Sequence, residues 1–177
     1  MAIRRILQLG DPLLRSTSRL VSHSEAAPVL ADLRDTLHEF QRVHGFGRGI
    51  SAVQIGEAVR VIYLEIDGEA HALVNPEFTF LSEEKFRMWD DCFSFPHLMV
   101  WLERSLRVGL LYWNADGRAC DLEAEGAFAE LLQHELDHLD GVLSIDRALD
   151  RDSLCTREEW QRRHRFPQAA GISPREP

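Results

Sequence analysis

The chain has 177 residues, 45% of them hydrophobic, and a formal net charge of −9 at pH 7. That length suits one domain with a substantial core, and the acidic balance argues against broad nucleic-acid binding, which relies on Lys and Arg neutralising phosphates. No segment approaches the roughly 20 apolar residues of a membrane span. Three cysteines and an N-terminus without the apolar run of a signal peptide lead us to expect a reducing, cytoplasmic location.

In chain order, the first predicted element is a helix from Pro28 to about Val43. Pro28 is placed in its first turn, and Leu30, Leu33, Leu37 and Phe40 share one face. A glycine-rich stretch follows, Gly47-Arg48-Gly49-Ile50-Ser51-Ala52-Val53-Gln54. Its glycines permit close backbone approach or positive φ, and taken alone they read equally well as an ordinary turn. Val59 to Ile66 and Ala72 to Val74 are strand candidates joined through Asp67-Gly68. Next comes Cys92, in Trp89-Asp90-Asp91-Cys92-Phe93-Ser94-Phe95-Pro96. Its thiolate is a soft metal ligand, although the commoner fate of a free cysteine is that of a small buried hydrophobe. Leu106 to Trp113 and Ala119 to Leu122 suggest a hairpin around Asp116-Gly117.

A second helix is predicted from Gly126 to Leu139, uninterrupted by proline, with Gly141 at its C-cap. Ala127, Leu131, His134 and His138 form one stripe of it. Glu130, Gln133, Asp137 and Asp140 form a wholly polar one, so Asp137 is expected to face solvent without a role. This helix contains His134-Glu135-Leu136-Asp137-His138, the pattern His-Glu-x-x-His. Histidines four apart share a face and can bind one metal, with the intervening glutamate placed to handle the protons of a water. The competing account is a pair of core histidines satisfied by hydrogen bonds. A catalytic site of this kind takes three protein ligands, and the third is either Cys92 or one of the carboxylates downstream of His138. Beyond Arg151 a short helix through Trp160 is expected, followed by a frayed, proline-containing end. Strands between two helices, the second carrying the ligands, indicate an α+β domain over residues 1–150, with 151–177 as an extension.

Three ordered blocks resemble the peptide deformylase family. They are the glycine-rich block ending at Gln54; Asp90-Asp91-Cys92-Phe93-Ser94; and Gln133-His134-Glu135-Leu136-Asp137-His138-Leu139-Asp140-Gly141. Gly10-Asp11-Pro12-Leu13-Leu14-Arg15 resembles the family's usual opening, so the similarity runs from about residue 3 to 150. The resemblance implies antiparallel strands packed around a central motif-bearing helix. It implies Cys92, His134 and His138 as ligands of iron(II), with zinc, nickel or cobalt able to replace it. It also implies Glu135 as the proton carrier, Gln54 and the Phe93 backbone N–H as oxyanion donors, and an N-formyl peptide as substrate, paired along Gly47 to Gly49 as an added strand.

The departures from the family pattern gather at the substrate rim. Asp91 stands where the family has glycine, Phe93 replaces leucine, Arg48 lies between the two glycines, and Met99 takes the place of an arginine found in many bacterial members. Asp90 replaces glutamate and is expected to pair with Arg104. Either Arg48 binds a substrate carboxylate or Asp91 neutralises it. The rim keeps open a deformylase-like enzyme acting on another small N-formyl compound, and a non-catalytic metal-binding homologue is the third possibility.

Overall fold

The computed structural model describes residues 2–165; of the frayed end expected after Trp160, residues 161–165 are instead helical and the rest lies outside the described residues. Helix α1 (His23–His44) starts earlier than Pro28, because Ser22 and Glu25 form a reciprocal capping box that satisfies its first N–H groups. Pro28 therefore sits inside the helix rather than in its first turn. Leu30, Leu33, Leu37 and Phe40 are buried as the periodicity requires, each such side chain contributing about 1.5–3 kcal/mol.

Two antiparallel sheets follow. The first contains β1 (Gly49–Ser51), β2 (Val61–Ile66), β3 (Glu69–Leu81), β6 (Arg107–Trp113) and β7 (Ala119–Glu125), in the order β1-β2-β3-β6-β7. The β2–β3 connection is the expected two-residue turn, with φ of 52° at Asp67 and 82° at Gly68, the left-handed pair such a hairpin needs. The second sheet has β5 (Leu98–Ser105) between β4 (Lys85–Asp90) and β8 (Leu154–Thr156). The expectations from sequence did not include this sheet. Its signal was the alternation of Phe86 and Met88 with Lys85 and Arg87 in β4, followed by a continuous apolar run in β5.

Helix α2 (Ala127–Leu139) touches β1, β2, β5 and β7, and so reaches both sheets. Leu132, Leu136 and Leu139 pack with Ile62, Leu64, Leu73, Val108 and Leu110. Its polar stripe is not a solvent face: Glu130, Gln133 and Asp137 are buried, and only Asp140 is exposed. The helix is enclosed on nearly all sides, which corrects the amphipathic expectation. After β8, helix α3 (Arg157–Arg165) packs near β5. Among the described residues, no helix is long and apolar enough to cross a membrane.

Candidate metal centre and reaction cavity

Successive turns of α2 present His134 and His138 with ring centroids 5.0 Å apart. The loop after β4 brings in Cys92, whose Sγ lies 3.2 Å from His138 Nε2 although 46 positions separate them. One donor atom from each of Cys92, His134 and His138 lies within 4.8 Å of the others, and all three residues are buried. The other such group among the described residues is Asp90, Glu130 and His134, and no carboxylate downstream of His138 joins either.

The donor set suits a transition metal. The Ser94 backbone N–H and Gln54 Nε2 approach Cys92 Sγ at 3.4 and 3.6 Å. A thiolate with two imidazoles matches zinc- or iron(II)-type coordination and leaves a fourth position free. His134 Nδ1 is held 3.0 Å from Asp90 Oδ2, which orients the ring and keeps Nε2 for a metal. Burial pushes the His134 pKa down, but the charge of Asp90 and its hydrogen bond outweigh burial and raise it well above the usual value. His138 is held well below the usual value by burial and by the charge of His134. Its Nδ1 is buried without a partner.

A chain of charges backs this centre. Arg104 Nη2 donates to Asp90 at 3.3 Å, as expected, and Nη1 donates to Asp137. Asp137 also accepts from Arg147, Nε at 2.8 Å and Nη2 at 2.5 Å. The residue expected to face solvent without a role is thus the junction of two arginines.

Glu135 is buried, and burial pushes its carboxyl pKa up. The Ser51 hydroxyl donates to its Oε2. Its Oε1 lies against Gly49, where an added Cβ would come within 3.0 Å of Oε1 and 2.5 Å of Leu64 Cδ2. A side chain at Gly49 would thus crowd Leu64 on β2 as well as Glu135 and Leu131 on α2. Gly47 has φ of 131°, and a Cβ there would meet the Phe93 ring at 2.7 Å. The Gln54 side chain is locked at both ends. Its Oε1 accepts the Ser51 N–H at 2.9 Å, and its Nε2 lies 3.3 Å from Ser94 Oγ. The Phe93 ring stacks on Phe40 with centroids 3.8 Å apart.

Gln54, Cys92, Phe93, His134 and Glu135 line one cavity of about 370 Å³, together with Gly47, Arg48, Gly49, Asp91 and Met99. Every expected site residue except His138 borders this space. The Arg48–Asp91 pairing, one of the two alternatives weighed for Arg48, does not form. Arg48 instead donates to Glu130 at 2.7 Å and to the Ala127 carbonyl at 3.1 Å, while Asp91 pairs with Arg157. Burial and then the charge of Asp90 raise the Glu130 pKa. Glu130, Arg157 and Trp160 also line the cavity but were missed in the sequence. Glu130 was hidden by the assumption of a solvent stripe, and the other two lie beyond the recognised blocks.

A family model described as polypeptide deformylase matches residues 3–153. The chain is 35% identical over 153 residues to a peptide deformylase of Bartonella tribocorum, covering 82% of this chain and 84% of that one. It is 34% identical over 177 residues to one from Chromohalobacter salexigens, covering 96% and 100%. The crystal structure of peptide deformylase from Thermotoga maritima superposes with a TM-score of 0.78 at 32% identity, covering 85% of this chain and 100% of that chain. The peptide deformylase from Synechococcus elongatus in complex with actinonin gives 0.78 at 26% identity, covering 94% and 92%. With its ordered blocks, its fold and these relatives in agreement, the chain belongs to the peptide deformylase family.

Proposed function

We propose that the protein hydrolyses the formyl group from N-formylmethionyl peptides, using residues 1–150 as its catalytic domain. The observation that carries this reading is the convergence of Cys92 on His134 and His138 at the wall of a cavity shared with Glu135 and Gln54. Cys92, His134 and His138 would hold a divalent cation, iron(II) by family resemblance, with zinc, nickel or cobalt able to replace it. Bound there, the cation supplies Lewis acidity and lowers the pKa of a water towards about 7.

The chain's own groups account for the rest. Glu135 is the proton carrier: burial raises its proton affinity, and Ser51 fixes one of its oxygens. It takes a proton from the attacking water and returns one to the departing amine nitrogen. The water oxygen bonds to the formyl carbon, the C–N bond breaks, and formate and a free amine leave. The oxygen that becomes negative in between accepts hydrogen bonds from Gln54 Nε2 and the Phe93 backbone N–H. The Gln54 amide already points its NH₂ group at Cys92 because Ser51 holds its carbonyl end.

β1 is an edge strand of the five-stranded sheet. An extended peptide can add alongside Gly47 to Gly49, where the two glycines flanking Arg48 allow close approach. Arg48 and Asp91 then shape the flanks of the substrate path. The rim also supports a second reading, hydrolysis of another small N-formyl compound, because the Arg48–Glu130 pair introduces charge into the cavity wall.

The test is formate release from a formyl-Met tripeptide by anaerobically prepared, iron(II)-loaded protein, with Glu135→Ala as control. Rapid release that the variant loses supports the proposal. No release from wild type with a filled metal site would redirect it to the second reading or to a non-catalytic role.

A further inference from the structure

Arg157 is the first residue of α3, beyond the end of the family match at residue 153, yet it borders the reaction cavity. Its guanidinium grips both ends of the loop that carries Cys92. Nη2 donates to the Asp91 carboxylate, and Nε donates to the Pro96 carbonyl at 2.6 Å. The Arg157 backbone N–H adds a 2.8 Å bond to the His97 carbonyl. The guanidinium carbon also lies 5.0 Å from the centroid of the Phe46 ring. Phe46 in turn packs edge-on against Phe40 and Phe93. One side chain therefore spans the cavity mouth, from the Cys92 loop to the residue preceding Gly47.

We infer that Arg157 is a positioning residue for the deformylation reaction. By clamping the loop between Asp91 and Pro96 it holds the Cys92 sulfur and the Phe93 N–H in register with α2. The inference rests on the proposed deformylase activity. The middle of the loop is held by the Gln8 side chain on the Phe93 carbonyl at 3.2 Å, by Gln54 on Ser94 Oγ and by the Phe93–Phe40 stack, and by backbone bonds from Phe95 to Cys92 and from Leu9 to Ser94. Arg157 adds side-chain bonds at its two ends, Asp91 and Pro96. Arg157 is 22% exposed and Asp91 37%, so the pair is partly shielded from solvent. A guanidinium can serve Asp91 and Pro96 together through its planar fork, whereas a lysine presents a single point charge.

The experiment compares wild type, Arg157→Ala and Arg157→Lys as full chains. Metal-free protein is alkylated with iodoacetamide, and labelling of Cys92 is followed by peptide mass spectrometry, which separates it from Cys120 and Cys155. Iron(II)-loaded protein is assayed for formate release. In Arg157→Ala we expect Cys92 to label about tenfold faster and kcat to fall about 10- to 100-fold, with KM changed less than about threefold. Arg157→Lys should fall between the two. If the alanine variant does not fold, the lysine variant carries the same comparison. Labelling at the wild-type rate overturns the inference, as does faster labelling with an unchanged kcat. If wild type itself releases no formate, the deformylase activity fails as a reading, and the labelling rates alone decide whether the clamp exists.

Discussion

Two regions of the molecule use charge in opposite ways. Behind the candidate ligands Cys92, His134 and His138, the side chains of Asp90, Arg104 and Asp137 are buried, and their contacts run continuously from His134 to Arg147. At the cavity rim, Arg48–Glu130 and Arg157–Asp91 are separate pairs, each with at least one partner open to solvent. A buried network has few alternative geometries and high penalties for a missing member. The Arg157–Asp91 pair, with both partners partly exposed, can exchange partners with water or substrate at small cost, whereas the buried Glu130 depends on Arg48. In the proposed reaction the centre carries the chemistry, and the rim shapes the substrate path.

The comparison breaks most completely at Cys92. Cys92→Ala should lose bound metal and formate release together, as measured by metal analysis of purified protein. Retained stoichiometric metal would mean that the third ligand lies elsewhere. Next is Arg104→Ala, which leaves Asp90 and Asp137 buried without their shared partner. Removing one member of a buried pair costs about 3–5 kcal/mol, and urea unfolding should show a loss of that order. A loss near zero would place the network among the weak surface pairs. Gln54→Ala should lower kcat about 10²- to 10³-fold, the usual cost of an oxyanion donor, and also cost about 1–3 kcal/mol of stability because the buried Ser51 N–H loses its acceptor. A KM effect alone would instead make Gln54 a contact for bound substrate.

The smallest effect lies away from both regions and calibrates them. Hydrogen bonds from the Ser22 backbone and hydroxyl, then from Arg19, pull the Glu25 pKa down from 4.5 to about 2. A carboxyl with a depressed folded-state pKa stabilises above its unfolded value, and that contribution is lost as pH falls. Glu25→Gln should therefore lower Tm at pH 6, and the difference from wild type should fade between pH 4.5 and 2. A difference independent of pH would show that the capping charge does not matter.

The central helix was legible because two independent signals coincide on it, a 3.6-residue period and a ligand spacing that only a helix can satisfy. Asp137 and Glu130 were misread for a physical reason. A polar stripe implies solvent only when one side of the helix is free, and α2 lies where both sheets converge. Arg104 was recognised as a partner of Asp90 through the family pattern, but its second bond to Asp137 depends on where β5 crosses α2. Neither alternative weighed for Arg48, a substrate carboxylate or Asp91, named Glu130, because only the packing of β1 on α2 brings that pair together. Arg157 carried no local signal, since it reaches the cavity through the pairing of β8 with β5.

The 46-position separation of Cys92 and His138 has a consequence for chain entropy. An ion held by both residues closes a long loop, as a covalent bridge would. In the loop-closure picture a bridge over that span removes unfolded-state freedom equivalent to about 4 kcal/mol at room temperature. Metal at this centre would therefore act as a detachable cross-link between the second sheet and the central helix, so that loading the protein and folding it draw on the same free energy.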